Sequence, residues 1–223
     1  MREYEVAVVT ASTILAGSLS VEAGASGIVV FAHGTGSSRH SPRNRAVARR
    51  LNENGFATLL LDLLTREEEE ADERGADHRF DITLLARRLD AAMRWAHEQR
   101  DLENLPIGLF GASTGAAAAL VAASSPENEV NAIVSRGGRP DLAGLRDLER
   151  VRAPVMLIVG GLDKVVLGLN EQAQESLGSP SRLEIVEGAT HLFEEPGALE
   201  IVAELAVEWF GAHLRSDRAP EAW

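Results

Sequence analysis

The chain has no cysteine. That excludes a disulfide framework, a thiolate nucleophile and any cysteine metal site. It also lacks an apolar run approaching the length of a membrane span, although 45% of its residues are hydrophobic, so a soluble chain is expected. The first residues, Met1-Arg2-Glu3-Tyr4-Glu5-Val6, lack the basic-then-apolar pattern of a secretion signal, and a cytoplasmic location is the default expectation. Positive charge is scarce. A net charge of −12 argues against nucleic acid or an anionic membrane as a general partner. There is no internal repeat. With 223 residues the chain suits one α/β domain, expected over residues 1–215 with 216–223 as a flexible tail, and leaves no room for a sizeable second domain.

What is present centres on Pro106 to Leu120. A short apolar run, Gly111-Ala112-Ser113-Thr114-Gly115 and an alanine-rich segment follow one another, which is the strand, tight turn and helix that expose a serine hydroxyl above a sheet. So sharp a bend strains Ser113 and brings strand and helix close, so the glycines and the small Ala116 to Ala119 run are what the turn requires.

Around this turn the chain alternates strand and helix. Residues 2 to 9 and 13 to 21 alternate apolar and polar side chains about Thr10-Ala11-Ser12 and read as an antiparallel edge hairpin. Gly27 to Ala32 is a continuously apolar, buried strand that ends in the glycine-rich loop His33 to Ser38. A helix from Pro42 to Asn54 precedes the strand Phe56 to Leu61, which Asp62 closes. Residues 63–81 break the rhythm with Glu67 to Glu70, Asp72, Glu73, Asp77 and Asp81. They read as a solvated loop or a small lid, in which His78, Arg79 and Phe80 are the residues expected to point inward. An amphipathic helix follows from Ile82 to Arg100, in which Trp95 reads as core packing. Later strands are expected at Val130 to Ser135, Pro154 to Gly160 and Arg182 to Glu187, with a closing helix over 196–214. The pattern implies a mostly parallel central sheet of about eight strands with helices on both faces and ligands at the strands' carboxyl ends.

A serine hydroxyl needs a neighbouring base, and histidine suits the task because its pKa lies near working pH. His191 lies in the loop directly after the last strand, and Asp163 in the loop after the preceding one, where a carboxylate can fix the imidazole's tautomer. Ser113, Asp163 and His191 are therefore the candidate catalytic residues. An oxyanion needs backbone N–H donors. Thr114, at the start of a helix, and Thr35, with Gly34 as the alternative, are the candidates. His33 is expected to fix its loop rather than act as a base. Arg39, Arg43, Arg45, Arg136 and Arg139 follow two strand ends; Arg136, with Arg39, is expected to meet an anionic substrate unless internal carboxylates claim these arginines. His78 is a further substrate-binding candidate.

His33-Gly34, Gly111-Ala112-Ser113-Thr114-Gly115, Gly160-Gly161-Leu162-Asp163 and Gly188-Ala189-Thr190-His191 together resemble the motifs of the α/β-hydrolase superfamily over nearly the whole chain. The compact size, the absence of a large cap and Asp62-Leu63-Leu64-Thr65 resemble the dienelactone hydrolase family in particular. Its best-known members carry cysteine in Gly-x-Cys-x-Gly-Gly, whereas this chain has Ser113 and continues Gly115-Ala116. The resemblance implies an α/β-hydrolase fold and hydrolysis of a small-molecule ester or lactone, with no metal or organic cofactor. A small peptidase or amidase, and a non-catalytic ligand-binding protein of the same fold, are the alternatives.

Overall fold

Period-two patterning and turn chemistry build one edge of the sheet. In the computed structural model, which describes residues 2–214, β1 (Arg2–Val9) and β2 (Ile14–Val21) pair antiparallel from Arg2 opposite Val21 to Val9 opposite Ile14. The Thr10 hydroxyl closes the turn by donating to the Thr13 carbonyl at 2.9 Å and accepting the Thr13 N–H at 3.0 Å. The expected tail, 216–223, lies outside the described residues.

Six more strands complete the sheet: β3 (Ile28–Ala32), β4 (Ala57–Leu61), β5 (Ile107–Ala112), β6 (Val130–Arg136), β7 (Val155–Gly160) and β8 (Ser181–Val186). Their order is β1-β2-β4-β3-β5-β6-β7-β8, antiparallel from β1 to β4 and parallel from there on. Every residue of β3, β4, β5 and β7 is buried, which is why these strands read as unbroken apolar runs.

The helices, in chain order, are α1 (Pro42–Glu53), α2 (Arg66–Glu73), α3 (Ile82–Glu98), α4 (Thr114–Ser124), α5 (Leu145–Leu148), α6 (Lys164–Ser176) and α7 (Ala198–His213). Successive residues of β3 feed two separate cores. Val29 and Phe31 pack with α1 and α7, while Ile28, Val30 and Ala32 pack with α3 and α4. Phe31 meets Phe110 on the first face with ring centroids 4.8 Å apart. Trp95 packs against the second core, as a structural residue should.

The acidic stretch corrects the expectation of a solvated loop. Residues Arg66–Glu73 form a helix, because the Thr65 side chain accepts the Glu68 N–H at 3.3 Å while the Glu68 carboxylate accepts the Thr65 N–H at 2.8 Å, a reciprocal capping box. Glu67, Glu68 and Glu69 lie in its first turn, where the helix dipole favours negative charge. Gly75, at φ 101°, ends it. A single turn of 3-10 helix, His78–Phe80, then leads into α3. Among the described residues this excursion is short, and none forms a large cap. No described helix is long and apolar enough to cross a membrane.

Candidate active site

The turn after β5 places Ser113 at φ 52° and ψ −120°, a conformation an L-residue adopts only when its surroundings impose it. Those surroundings are tight on both sides. A Cβ at Gly111 would approach the Ala116 nitrogen to 2.7 Å, and one at Gly115 would come within 2.6 Å of the His33 carbonyl oxygen and overlap that of Ala32. The elbow is thus pressed against β3 as well as against its own helix. The Ser113 N–H donates to the Arg136 carbonyl at 3.2 Å, and the Ser113 carbonyl accepts from the Arg139 N–H at 3.1 Å, which pins the turn to the end of β6.

Loops after β7 and β8 bring Asp163 and His191 together: His191 Nδ1 lies 2.7 Å from Asp163 Oδ2. With Nδ1–H donated to the carboxylate, Nε2 is left as an acceptor. The imidazole lies beside Gly137, where a Cβ would be 3.5 Å from its Cε1. Gly137 follows Arg136, the residue whose carbonyl receives the Ser113 N–H, so Ser113 and His191 both border the end of β6, and Asp163 is joined to them through His191.

Thr114 opens α4, and as its first residue it has an N–H without an intrahelical partner. Thr35 stands differently from expectation. Its N–H donates to the Thr114 hydroxyl at 3.1 Å, and the two hydroxyls are 3.1 Å apart, so this donor is already engaged within the protein. Gly34 packs on the serine itself, where a Cβ would come within 2.9 Å of Ser113 Cβ. His33 is buried, with Nδ1 3.0 Å from the Gly34 carbonyl oxygen and Nε2 accepting the Leu63 N–H at 3.0 Å. Both ring nitrogens are spent on the loop, and burial holds the pKa below the usual histidine value.

Beside Thr114 and the His33 to Ser38 loop opens a cavity of about 310 Å³. Leu63, Leu64 and Leu85 give it an apolar lining, and Glu69, Glu73 and Arg79 its polar one. Arg79 is already neutralised by Asp72, Nε to Oδ2 at 2.8 Å. Burial, and then the nearby Asp62, raise the Glu69 carboxyl above the ordinary range. Segment 63–81 therefore does line a cavity, though with only one of the three residues expected to point inward. Arg79 reaches it; His78 is not among its lining groups, and Phe80 is 54% exposed.

The arginines divide sharply. Arg39 is held by Asp62 and Glu5, Arg43 by Glu194, Arg45 by Glu3 and Arg139 by Asp141, so Arg39 does not join Arg136 as a free cation. Arg136 is buried and makes no ion pair among the described residues. Its Nη2 donates to Asn44 Oδ1 at 3.4 Å, and its guanidinium carbon lies 5.9 Å from the centre of the Phe193 ring. Burial, and then Arg43, push its pKa down to about 10, which still leaves it charged at neutral pH. Asn44 and Phe193 were not foreseen as its neighbours. The signal for Asn44 was present, a polar residue one turn before Val47 and Leu51 on the buried stripe of α1.

A mostly parallel eight-stranded sheet with a serine elbow after β5, and acid and imidazole in the loops after β7 and β8, defines an α/β-hydrolase. The chain belongs to the dienelactone hydrolase family, whose model matches residues 12–214. It is similar to a dienelactone hydrolase from Anabaena variabilis of known crystal structure, with 56% identity, a TM-score of 0.93, and coverage of 96% of this chain and 99% of that one. Est1E from Butyrivibrio proteoclasticus, 16% identical with a TM-score of 0.78 over 93% of this chain and 98% of its own, shares the fold. A Mycobacterium tuberculosis protein named "Putative phosphoribosyl transferase" is 58% identical over 214 residues, 96% of this chain but 47% of that protein. The chain thus spans about half the length of the curated relatives it matches. The family to which the chain belongs is one of hydrolases.

Proposed function

We propose that the protein is a serine hydrolase of small carboxylic esters or lactones. Ser113 Oγ attacks the carbonyl carbon as His191 Nε2 takes its proton. The tetrahedral oxyanion is met by the Thr114 N–H and by the Thr35 N–H, which turns from the Thr114 hydroxyl to the substrate. Collapse expels the alkoxide, which takes the proton from the imidazolium and leaves an acyl-enzyme. Water, deprotonated by His191, then releases the acid. Asp163 holds the imidazole in the required tautomer and offsets its charge. The observation that carries this reading is the 2.7 Å His191–Asp163 hydrogen bond beside a serine held at φ 52°. In a ring lacking such a partner, the tautomer that leaves Nε2 free would have no reason to dominate.

The cavity beside segment 63–81 suits a neutral or apolar part of the substrate, since its floor is leucine and its carboxylates outnumber its one neutralised arginine. The transferase named for the longer mycobacterial relatives belongs, on this reading, to the half that this chain does not match.

The test is a serine-directed phosphonate followed by mass spectrometry of the folded protein, beside turnover of 4-nitrophenyl esters and simple lactones. One adduct on Ser113 is expected, with turnover falling by about a thousandfold or more in Ser113→Ala. Absence of an adduct in the wild type, together with no turnover, would return the chain to the non-catalytic binding class.

A further inference from the structure

Asn170 is wholly buried in α6, where helix chemistry alone gives no reason for an amide. Asparagine is a poor helix former, and a buried amide costs free energy unless its polar groups are met. Its nitrogen is met twice: Nδ2 donates to the Val166 carbonyl of the same helix at 2.8 Å and to the Gly138 carbonyl at 3.0 Å. Its oxygen, Oδ1, is buried with no partner among the described residues. Turning the amide over would bring no relief, because Oδ1 would then face two carbonyl oxygens. An apolar residue would avoid the whole cost, which leaves the bond to Gly138 as the reason for asparagine here.

That bond joins the acid side of the candidate triad to the serine side. Asp163 is the N-cap of α6, and Asn170 follows seven residues later, about two turns along. The helix buries only Val166, Asn170 and Ala173. Burial of the two apolar residues is non-directional, so it holds α6 down without fixing how far it slides or turns. The bond to Gly138 is directional. Among the described residues, it is the one hydrogen bond from an α6 side chain to another element.

The receiving end is equally specific. The Gly138 carbonyl belongs to the peptide unit whose N–H, that of Arg139, donates to the Ser113 carbonyl at 3.1 Å, so one rigid plane connects α6 to the strained serine. Gly137, one residue earlier, donates its N–H to the Ile158 carbonyl at 2.7 Å and lies against His191. Gly138 is wedged in place: a Cβ there would overlap the Ser135 hydroxyl oxygen and come within 2.7 Å of Ala116 Cβ. This loop is therefore a fixed reference for the elbow, and Asn170 sets α6 against it.

We propose, on the hydrolase reading above, that Asn170 is a positioning residue: through the Gly138 peptide it keeps Asp163, and with it the His191 ring, in register with Ser113. It touches no reacting atom. Without the bond, carboxylate and elbow move independently, and Nε2 spends less time in line with the serine hydroxyl.

The experiment is a double-mutant cycle read on turnover of 4-nitrophenyl butyrate, with competent sites counted by the serine-directed phosphonate. Asn170→Ser is the informative variant, because a helical serine hydroxyl bonds back to the carbonyl one turn earlier, here that of Val166, and is too short to reach Gly138 as well. Asn170→Ala and Asn170→Ser should each lower kcat per competent site about tenfold, with KM held within about twofold. In an Asp163→Asn background the same substitutions should lower kcat by less than about twofold, because the carboxylate they displace is already gone. Equal losses in both backgrounds would make Asn170 a residue of general stability and overturn the proposal. Wild-type kcat in Asn170→Ser would overturn it too. Should Asn170→Ala fail to fold, Asn170→Ser decides alone.

A readout independent of turnover is the far-downfield proton resonance of the His191 Nδ1–H bonded to Asp163. It should move upfield or broaden in Asn170→Ser, and a resonance unchanged from wild type overturns the proposal. Failure of the hydrolase reading looks different: the wild type neither turns over the ester nor takes phosphonate on Ser113, while the His191 proton still shows whether Asn170 holds Asp163 in place.

Discussion

His33 shows how one residue can resemble a catalytic base and be prevented from acting as one. Its ring bridges the Gly34 carbonyl and the Leu63 N–H, so it locks the loop after β3 to the chain just after β4. Burial lowers its pKa from the ordinary 6.5, so the folded state favours the neutral ring. The sign of the linkage follows: the unfolded chain takes up the proton first, and the contribution to stability, complete above pH 6.5, is lost as pH falls from there through the lower folded-state value. Denaturant titrations between pH 8 and 5 should show this loss in the wild type. His33→Asn should lose about 1 kcal/mol at neutral pH through a weakened bridge. Its stability should then decline less steeply below pH 6.5; equal slopes would remove His33 from the account. At the same scale, the Ser113 turn was legible because its requirements are local: five consecutive residues specify the bend. The condition of Arg136 was not. Arg39, Arg43 and Arg139 looked equivalent to it, and only their separate encounters with Asp62, Glu194 and Asp141 distinguish them.

Among the elements, α2 is the instructive one. Its sequence is dominated by carboxylates, and charge composition alone argues for a solvated loop. The deciding feature is Thr65 followed three residues later by Glu68, a helix-start signal set inside the acidic run. Arg88 of α3 reinforces it, donating to the Leu63 carbonyl and to the Glu68 carboxylate, so the helix is anchored at its first turn. Beyond that turn it buries little, Asp72 alone. Thr65→Ala should therefore cost about 1 kcal/mol locally and speed amide exchange in residues 66–73 about fivefold, with the global unfolding midpoint barely moved. If the midpoint falls as much as the local protection, α2 is part of the cooperative core rather than a separately opening element. By contrast α1, α3 and α7 were readable from periodicity, since each lays a clear apolar stripe on the sheet. The four-residue α5 is too short for any period to show.

Over the whole molecule, two cores share one sheet, and the strands β3, β5, β6 and β7 contribute alternate side chains to both. Neither core can be lost without exposing the other face of the same strands. We accordingly expect residues 2–214 to unfold as one unit, with equal calorimetric and van't Hoff enthalpies; two resolved transitions would show that the α1 and α7 layer melts by itself. Amino-acid order alone determined the buried strands, the elbow at Ser113 and the sequence of serine, aspartate and histidine that a sheet of this topology gathers at one edge. These follow from short-range patterning, in which each residue's role is set by neighbours a few positions away. Tertiary structure decided which charges cancel, where the Thr35 N–H points, and that Arg136 has no ion pair among the described residues. Such outcomes depend on distances between groups far apart in the chain, as with Arg43 and Glu194, which meet across 151 positions. In a low-dielectric interior, a few ångströms in those distances separate a neutralised charge from one left without a partner.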